Sequence, residues 1–173
     1  MSPSGELDYQ ESAVRLFVSY SHNDAYWIRN LMPLLSFRGV YVRPWSDENI
    51  EAGTTWDEEI RRELAEMHVF IPLVSVHFAA SRYIRTVECP IAKKRHKNGE
   101  IEVVPVLVHH PGKGECGWLM ALQCMPPGEQ SWAEVVRGFQ LHDMALAPIR
   151  DGIRDVVKRA RARRKTSGCP AQH

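Results

Sequence analysis

The sequence has little of several features on which common protein classes depend. Its four cysteines form no close C-x-x-C pair and no signal peptide is visible, so we expect reduced thiols rather than a disulfide framework or a zinc site. No apolar run approaches the length of a membrane span. A net charge of +1 supplies no overall field that would attract nucleic acid or anionic lipid. These absences predict a cytoplasmic protein without a membrane partner, and they disfavour nucleic acid as a partner.

Motifs for phosphate-loop, receiver and metal chemistry are also missing. Neither G-x-x-x-x-G-K-S/T nor a G-x-G-x-x-G after a strand occurs. A phosphoacceptor receiver needs acidic residues at strand ends, where this chain has Ser19-Tyr20-Ser21 and Ser75. The eight histidines show no H-x-x-x-H or H-E-x-x-H spacing, so we predict no metal site. The basic stretch 158–165 ends a predicted helix, where the helix dipole favours cations, so a solvated tail is preferred to a nucleic-acid site.

Strand and helix patterns alternate along a chain of ordinary composition. Its 173 residues are 44% hydrophobic and 25% charged, which suits one domain with a full core. We expect a flexible leader over residues 1–13, one domain over 14–164 and a flexible tail over 165–173. The alternation predicts an α/β fold with a parallel sheet between helices. The strand patterns lie at 16–21, 40–45, 68–75 and 101–108, and residues 118–125 form either a fifth strand or a helical turn.

Cap and breaker residues place the helices between these strands. Asn23 and Asp24 offer an N-cap to the first helix, and Pro33 predicts a kink or break within it. Gly39 is positioned to end that helical segment. In the helix after Ser81, Pro90 either introduces a kink or marks the effective first turn. The last helix runs from about 142 to 164, with a predicted buried stripe of Ile149, Ile153, Val156 and Val157.

Side chains suited to one ligand gather where the predicted strands end. Parallel α/β sheets bind ligands beyond the carboxyl ends of their strands. Aromatic, hydroxyl and carboxylate groups at that edge suit a sugar joined to a heteroaromatic ring. Taken singly, each has a more ordinary interpretation: Glu88 as a solvated helix acid, Trp45 as a core residue and Tyr83 as a helix-packing residue. The candidate residues are Tyr20, Ser21, Trp45, Asp47, Ser75, Ser81, Tyr83 and Glu88.

Three motifs, in order along the chain, carry a family resemblance. Together they resemble the Toll/interleukin-1 receptor (TIR) domain of the bacterial type, over a stretch from about Arg15 to Arg163. The resemblance implies a flavodoxin-like α/β fold, with a five-stranded parallel sheet and helices on both faces. The motifs are Phe17-Val18-Ser19-Tyr20-Ser21, Trp45-x-Asp47-x-x-Ile50-x-x-Gly53-x-x-Trp56 and Ser81-x-Tyr83-Ile84-x-x-x-Glu88.

The resemblance also implies an activity and a residue that performs it. Many such domains are NAD⁺ glycohydrolases, and their catalytic glutamate corresponds to Glu88. NAD⁺ would be the substrate, with no further cofactor, and would yield nicotinamide and ADP-ribose or a cyclised ADP-ribose. The turn at Tyr20 and Ser21, together with Trp45, would help to hold the nicotinamide and the ribose. Asp47 and Ser75 are candidates for hydrogen bonds to the substrate. The chain departs from many catalytic members at Ile84, where they carry a tryptophan.

A single carboxylate is sufficient for this reaction on chemical grounds. Ordinary O-glycosidases use two carboxyl groups, because the leaving alcohol must be protonated while the oxocarbenium ion is stabilised. The nicotinamide of NAD⁺ is already a pyridinium and departs as a neutral molecule. One carboxylate near the ribose can therefore stabilise the cationic transition state by electrostatics alone.

The resemblance assigns self-association to residues 46–55. This acidic loop carries Ile50, which is costly to leave in water unless it docks on a neighbour, and Gly53, which shapes the loop. Alternatively, Ile50 folds back onto its own domain. We expect homo-oligomers or other TIR domains as partners, a sensor or effector protein as the trigger, and a role in bacterial antiphage immunity. The competing hypothesis is a non-catalytic adaptor that acts through contacts between TIR domains.

Overall fold

Parallel strands form the centre of the molecule, which this computed structural model describes over residues 13–46, 56–138 and 142–167. Within these ranges, β1 lies between β2 and β3, and β3 also pairs with β4 and β5. The predicted flavodoxin-like α/β fold with a five-stranded parallel sheet is confirmed. The strands are β1 (Val14–Tyr20), β2 (Val40–Ser46), β3 (Val69–Val74), β4 (Glu102–Val103) and β5 (Val106–Leu107).

Helices follow the strands and cover both faces of the sheet. Over the part of the chain that the structure describes, no helix has the length and apolar character needed to cross a membrane. The α-helices are α1 (Ala25–Leu31), α2 (Trp56–Glu66), α3 (Val76–Ala80), α4 (Cys89–Lys97), α5 (Gly117–Met120), α6 (Trp132–Gly138) and α7 (His142–Ser167).

The central strand β1 is buried from two sides. Leu16 and Val18 pack in a cluster with side chains of α1 and α7, whereas Phe17 packs in a second cluster with side chains of α2 and α4. Successive side chains of a strand point to opposite faces of the sheet. The run Leu16-Phe17-Val18 is therefore apolar without alternation because both of its faces are covered.

The predicted fourth strand is divided into two short strands. β4 pairs with the first half of β3 and β5 pairs with its second half. Pro105 lies between them and has no N–H to donate to a ladder, which explains the interruption. The segment 118–125 contains part of helix α5 and, at Met125, an isolated parallel bridge to Val106. Both alternatives for that segment are thus realised in part.

Most helix boundaries follow the breakers in the sequence. After α1 the chain tightens into a 3₁₀ turn (Met32–Leu35) that contains Pro33, which confirms the predicted break. The helical segment ends at Leu35, four residues before the predicted stop at Gly39. Gly39, with a φ of 71° that glycine adopts without strain, instead forms the turn before β2. Asp24 does hold the N-cap position of α1, but its side chain makes no capping hydrogen bond there. The buried stripe of α7 is confirmed at all of its positions, Ile149, Ile153, Val156 and Val157.

The segment between β3 and α4 is more irregular than a single helix. Helix α3 starts directly after β3, and sequence reasoning missed it. A π-helical turn (Ile84–Glu88) then leads into α4, which begins at Cys89 with Pro90 in its first turn. Of the two predicted alternatives for Pro90, the first-turn position is confirmed.

Candidate functional site

Glu88 ends the π-helical turn with its side chain enclosed by the protein. Its exposed fraction is 0%, so the interpretation as a solvated helix acid is wrong, and the carboxylate does not lie open to a crevice. Glu88 Oε2 accepts a hydrogen bond from Ser19 Oγ, and Ser19 is equally buried. Ser19 lies in register with Trp45 of β2 and Pro72 of β3. The carboxylate is therefore located at the carboxyl end of the central strands, the edge that the sequence predicted.

The π-helical turn has a simple cause in the sequence. Pro90 has no N–H to donate to the carbonyl of Thr86, so the regular helical ladder is interrupted there. In the residue before Pro90, the N–H of Cys89 donates to the carbonyl of Ile84, five residues back, which is the hydrogen bond of a π-helix. Single π turns of this kind occur frequently at functional sites. The turn buries both Ile84 and Glu88 and leaves Arg85 exposed.

Tyr83 links the π-helical turn to α2. Its hydroxyl donates to Asp57 Oδ1 at 2.7 Å, and Arg61 Nε donates to Asp57 Oδ2 at 2.8 Å. Burial, the hydrogen bond to Asp57 and the charge of Glu88 all raise the pKa of Tyr83. Hydrogen bonds from Arg61 and Tyr83 lower the pKa of Asp57. At neutral pH the phenol therefore remains a donor and the Asp57 carboxylate its acceptor.

Ser75 is engaged in two hydrogen bonds within the protein. Its hydroxyl donates to Asp24 Oδ2 at 2.6 Å and accepts the N–H of Phe78 at 3.0 Å, which caps α3. Asp24 is buried, and this bond accounts for the side chain that does not cap α1. Ser81 Oγ accepts the N–H of Ile84 at 3.5 Å, at the start of the π-helical turn. Both serines have structural bonds, and contact with a substrate remains a prediction for each.

Trp45 belongs to the hydrophobic core. It is 5% exposed and packs with Phe17 and Phe70 in the cluster that α2 and α4 cover. The guanidinium of Arg43 lies 5.8 Å from the centre of its ring, close enough for a cation–π contact. The core interpretation of Trp45 is therefore the one that its surroundings favour.

Strand alternation separates Tyr20 from Glu88. Tyr20 packs against the cluster on the α1 and α7 face, whereas its neighbour Ser19 points toward Glu88. Ser21 is buried, and its carbonyl accepts the N–H of Asp24 at 2.7 Å. The structure thus groups Ser19, Tyr83 and Glu88 around the π-helical turn. The predicted residues Asp47, Ile50 and Gly53 lie outside the described residues.

Comparison with known proteins gives one family for this arrangement. The family described as TIR domain matches residues 16–145, well over half of the chain. The chain belongs to the TIR domain family. A relative from Sinorhizobium fredii (strain NBRC 101917 / NGR234), named uncharacterized protein y4lF, is 30% identical over 106 residues. Those residues are 60% of this chain and 31% of the relative, so the chain spans about a third of that protein's length.

This TIR domain contains site residues that sequence reasoning missed. The sequence indicates a strand end at Ser19 but no pairing with Glu88, which lies 69 positions farther along the chain. Asp57 shows one local signal, because it lies four residues before Arg61 on α2 and forms an ion pair with it. The sequence predicts a capping role for Asp24, whereas its side chain accepts a hydrogen bond from Ser75, at the end of another strand.

Proposed function

We propose that this TIR domain is an NAD⁺ glycohydrolase in which Glu88 is the catalytic carboxylate. The observation that supports this best is the burial of Glu88 at the carboxyl edge of the sheet, with Ser19 as its hydrogen-bond donor. Moving a carboxylate out of water costs several kcal/mol, and packing an acid gives nothing that an apolar residue would not. Enclosed acids held by specific donors are typical of sites where charge does chemistry.

The proposed mechanism uses Glu88 for electrostatic stabilisation. The bond between ribose C1′ and the nicotinamide nitrogen breaks, and its electron pair leaves with the neutral nicotinamide. The carboxylate stabilises the positive charge left on the ribose. The attraction between the two charges is far stronger in a site closed to water than in solution. Addition of water to C1′ and loss of a proton gives ADP-ribose, whereas attack from within the molecule gives a cyclic product.

Ser19 is the positioning residue in this mechanism. Its hydroxyl donates to one carboxylate oxygen, Glu88 Oε2, and so fixes the plane of the group. The ribose would contact the same carboxylate. Because Glu88 is enclosed, the substrate reaches it only when the π-helical turn and its neighbours move apart. Self-association through residues 46–55 is the proposed cause of that movement.

Replacement of Glu88 tests the enzyme hypothesis directly. The isosteric variant Glu88→Gln should lose about a hundredfold or more of the rate of nicotinamide release, because the charge that stabilises the transition state is gone. Ser19→Ala should lose about tenfold, the worth of one hydrogen bond to a charged group. The measurement is chromatography of nicotinamide from concentrated protein and NAD⁺. Glu58→Gln, at an exposed acid of α2, is the matched control. Full activity in Glu88→Gln would refute the role of that residue.

A non-catalytic adaptor is the second candidate, and Ile84, at the position where many catalytic members carry a tryptophan, favours it. In this structure the carboxylate is sealed from a substrate, as a purely structural acid would be. Contacts with other TIR domains would then be the whole function. The two candidates differ in one measurement on an enforced oligomer of the folded domain. Turnover of NAD⁺ supports the enzyme, and its absence at high protein concentration supports the adaptor.

A further inference from the structure

A basic cleft lies at the opposite edge of the sheet from Glu88. It has a volume of about 460 Å³ and is lined by Arg38, Gly39, Arg161, Arg164 and Lys165. The carbonyl of Gly39 accepts the N–H of Val14, the first residue of β1, so the cleft lies where β1 begins. Ser19 and Glu88 lie near the other end of β1, about 16 Å away at the usual rise of a strand. The cleft is therefore distinct from the proposed catalytic site.

Three of the cations that line the cleft have no carboxylate partner among the described residues. Arg38 and Lys165 are exposed and form no ion pair there, and Arg161 donates only to the carbonyl of Arg38. Other arginines of the same region are neutralised. Arg15 pairs with Glu66, and Arg163 pairs with Glu102 at 2.5 Å. Glu66 and Glu102 are thus engaged by other arginines, and among the described residues no acidic residue lines the cleft.

Local structure holds one of these cations in place. A Cβ atom on Gly39 would lie 3.1 Å from the terminal nitrogen of Arg161, tighter than most such contacts, so the guanidinium would have to shift by a few tenths of an ångström. Gly39 also has a positive φ of 71°. The glycine therefore provides both the turn and the room for the Arg161 guanidinium, which is held against the Arg38 carbonyl. A donor fixed in this way loses little freedom when it binds a ligand.

His68, near the cleft, lies within the field of several arginines. A neighbouring cleft of about 390 Å³ shares Arg164 and contains His68. Burial first, then the charges of Arg164, Arg15 and Arg95, lower the pKa of His68 to about 4. These arginines thus all disfavour a further positive charge on His68, although the whole chain has a net charge of only +1.

We propose that the cleft binds a small phosphate-bearing anion, such as the oligophosphate group of a nucleotide. Guanidinium groups match the geometry of phosphate oxygens, and an ammonium adds a further charge. The volume is within the range of small-molecule sites. A nucleic-acid backbone fits less well, because acids lie among the cations farther along α7, where Asp155 pairs with Lys158 and Asp151 with Arg154.

Calorimetric titration of the full chain tests this site without reference to NAD⁺ cleavage. The probes are inorganic triphosphate, ATP and a single-stranded oligonucleotide. The double variant Arg38→Gln/Lys165→Gln removes two exposed cations of the cleft and should weaken triphosphate binding by about tenfold or more. The matched control Arg62→Gln/Lys97→Gln removes the same charge from exposed positions on α2 and α4 and should stay within about twofold.

The probes also separate the sources of the phosphate groups. Equal affinity for triphosphate and ATP would support recognition of phosphates alone, and tighter binding of ATP would support a nucleotide. Binding of neither at millimolar concentration would overturn the proposal. Equal losses in the two double variants would overturn it too, because the cleft would then contribute nothing specific. If only the oligonucleotide bound tightly, the ligand of the cleft would be nucleic acid and not a small anion, and the proposal would be overturned.

Discussion

At the scale of single residues, two buried acids are stabilised in the same way. Glu88 accepts a hydrogen bond from Ser19 near the end of β1, and Asp24 accepts one from Ser75 just after β3. Each carboxylate loses its hydration when it is buried, and the serine hydroxyl replaces part of that hydration with a hydrogen bond. The carboxyl edge of the sheet therefore holds two enclosed acids, of which only Glu88 has a proposed chemical role.

His68 makes the stability of the fold depend on pH. Its ordinary pKa is 6.5, and in the folded protein burial and the nearby arginines lower it to about 4. Its Nδ1 accepts the N–H of Arg15 at 2.9 Å, which requires the neutral ring. Between these two values the unfolded chain binds a proton that the folded protein does not. The free energy of unfolding should thus fall by roughly 2–3 kcal/mol as the pH is lowered from 6.5 to 4.

The variant His68→Asn provides the control for that prediction. Its side-chain oxygen can accept the same N–H of Arg15 but does not titrate in this range. Urea unfolding followed by circular dichroism across pH 4–7 should give a flatter curve for the variant than for the native chain. The difference between the two curves isolates His68, because the carboxyl groups are common to both. Parallel curves would contradict the assignment.

At the scale of elements, the π-helical turn is joined to α2 by Tyr83 and Asp57. The hydrogen bond between them is 2.7 Å long and connects the residue just before the turn to the first turn of α2. Tyr83→Phe removes this bond and keeps the ring. We expect a loss of about 1 kcal/mol in the free energy of unfolding, since Asp57 remains partly solvated and keeps Arg61.

A double-mutant cycle measures that connection. The variants are Tyr83→Phe, Asp57→Ala and their combination, each followed by chemical denaturation. The coupling energy should be about 0.5–1.5 kcal/mol if the two side chains interact as the distance indicates. The pair Tyr83→Phe and Asp155→Ala is the control, because Asp155 pairs with Lys158 on α7 instead. Losses that simply add in both cycles would show that the Tyr83–Asp57 bond contributes nothing.

Short-range sequence patterns predicted helix breaks and buried helix faces. They did not predict hydrogen bonds between residues that are distant in the sequence. The break at Pro33 and the apolar stripe of α7 depend on residues close together in the chain, so the sequence was sufficient to predict them. The enclosure of Glu88 depends on Ser19, a residue in another strand, and periodicity does not encode that pairing. The capping role predicted for Asp24 gave way to a tertiary bond with Ser75 for the same reason.

The predicted site could be inferred only in outline. The rule that ligands bind beyond the carboxyl ends of strands identified the correct edge for Glu88. It could not indicate which face of the sheet each side chain takes, and strand alternation separates Tyr20 from Ser19. Nor could it distinguish a core tryptophan from a ligand-binding one, and the packing of Trp45 favours the core.

At the scale of the whole molecule, the segment 47–55 joins two described elements that both reach the proposed site. It follows β2, in which Trp45 and Ser46 lie in register with Ser19 and Tyr20 of β1. It precedes α2, whose Asp57 binds Tyr83 beside the π-helical turn. Because Ser19 and Tyr83 flank Glu88, a restraint on this segment acts on the site from both ends.

We therefore predict that NAD⁺ turnover rises steeply with self-association through residues 46–55. Docking of Ile50 on a neighbouring domain would shift both ends of the segment and so move the π-helical turn and its neighbours apart around Glu88. Ile50→Asp should lower the specific activity about tenfold or more at high protein concentration, because a charge cannot replace an apolar contact. Gly53→Pro should act in the same direction by changing the loop backbone. The measurement is nicotinamide release against protein concentration, with oligomeric state followed by light scattering.

Val76→Asp is the matched control, since Val76 is 47% exposed at the first position of α3, where an acid suits the helix dipole. A specific activity that is independent of concentration and unchanged in Ile50→Asp and Gly53→Pro would mean that Ile50 folds back onto its own domain.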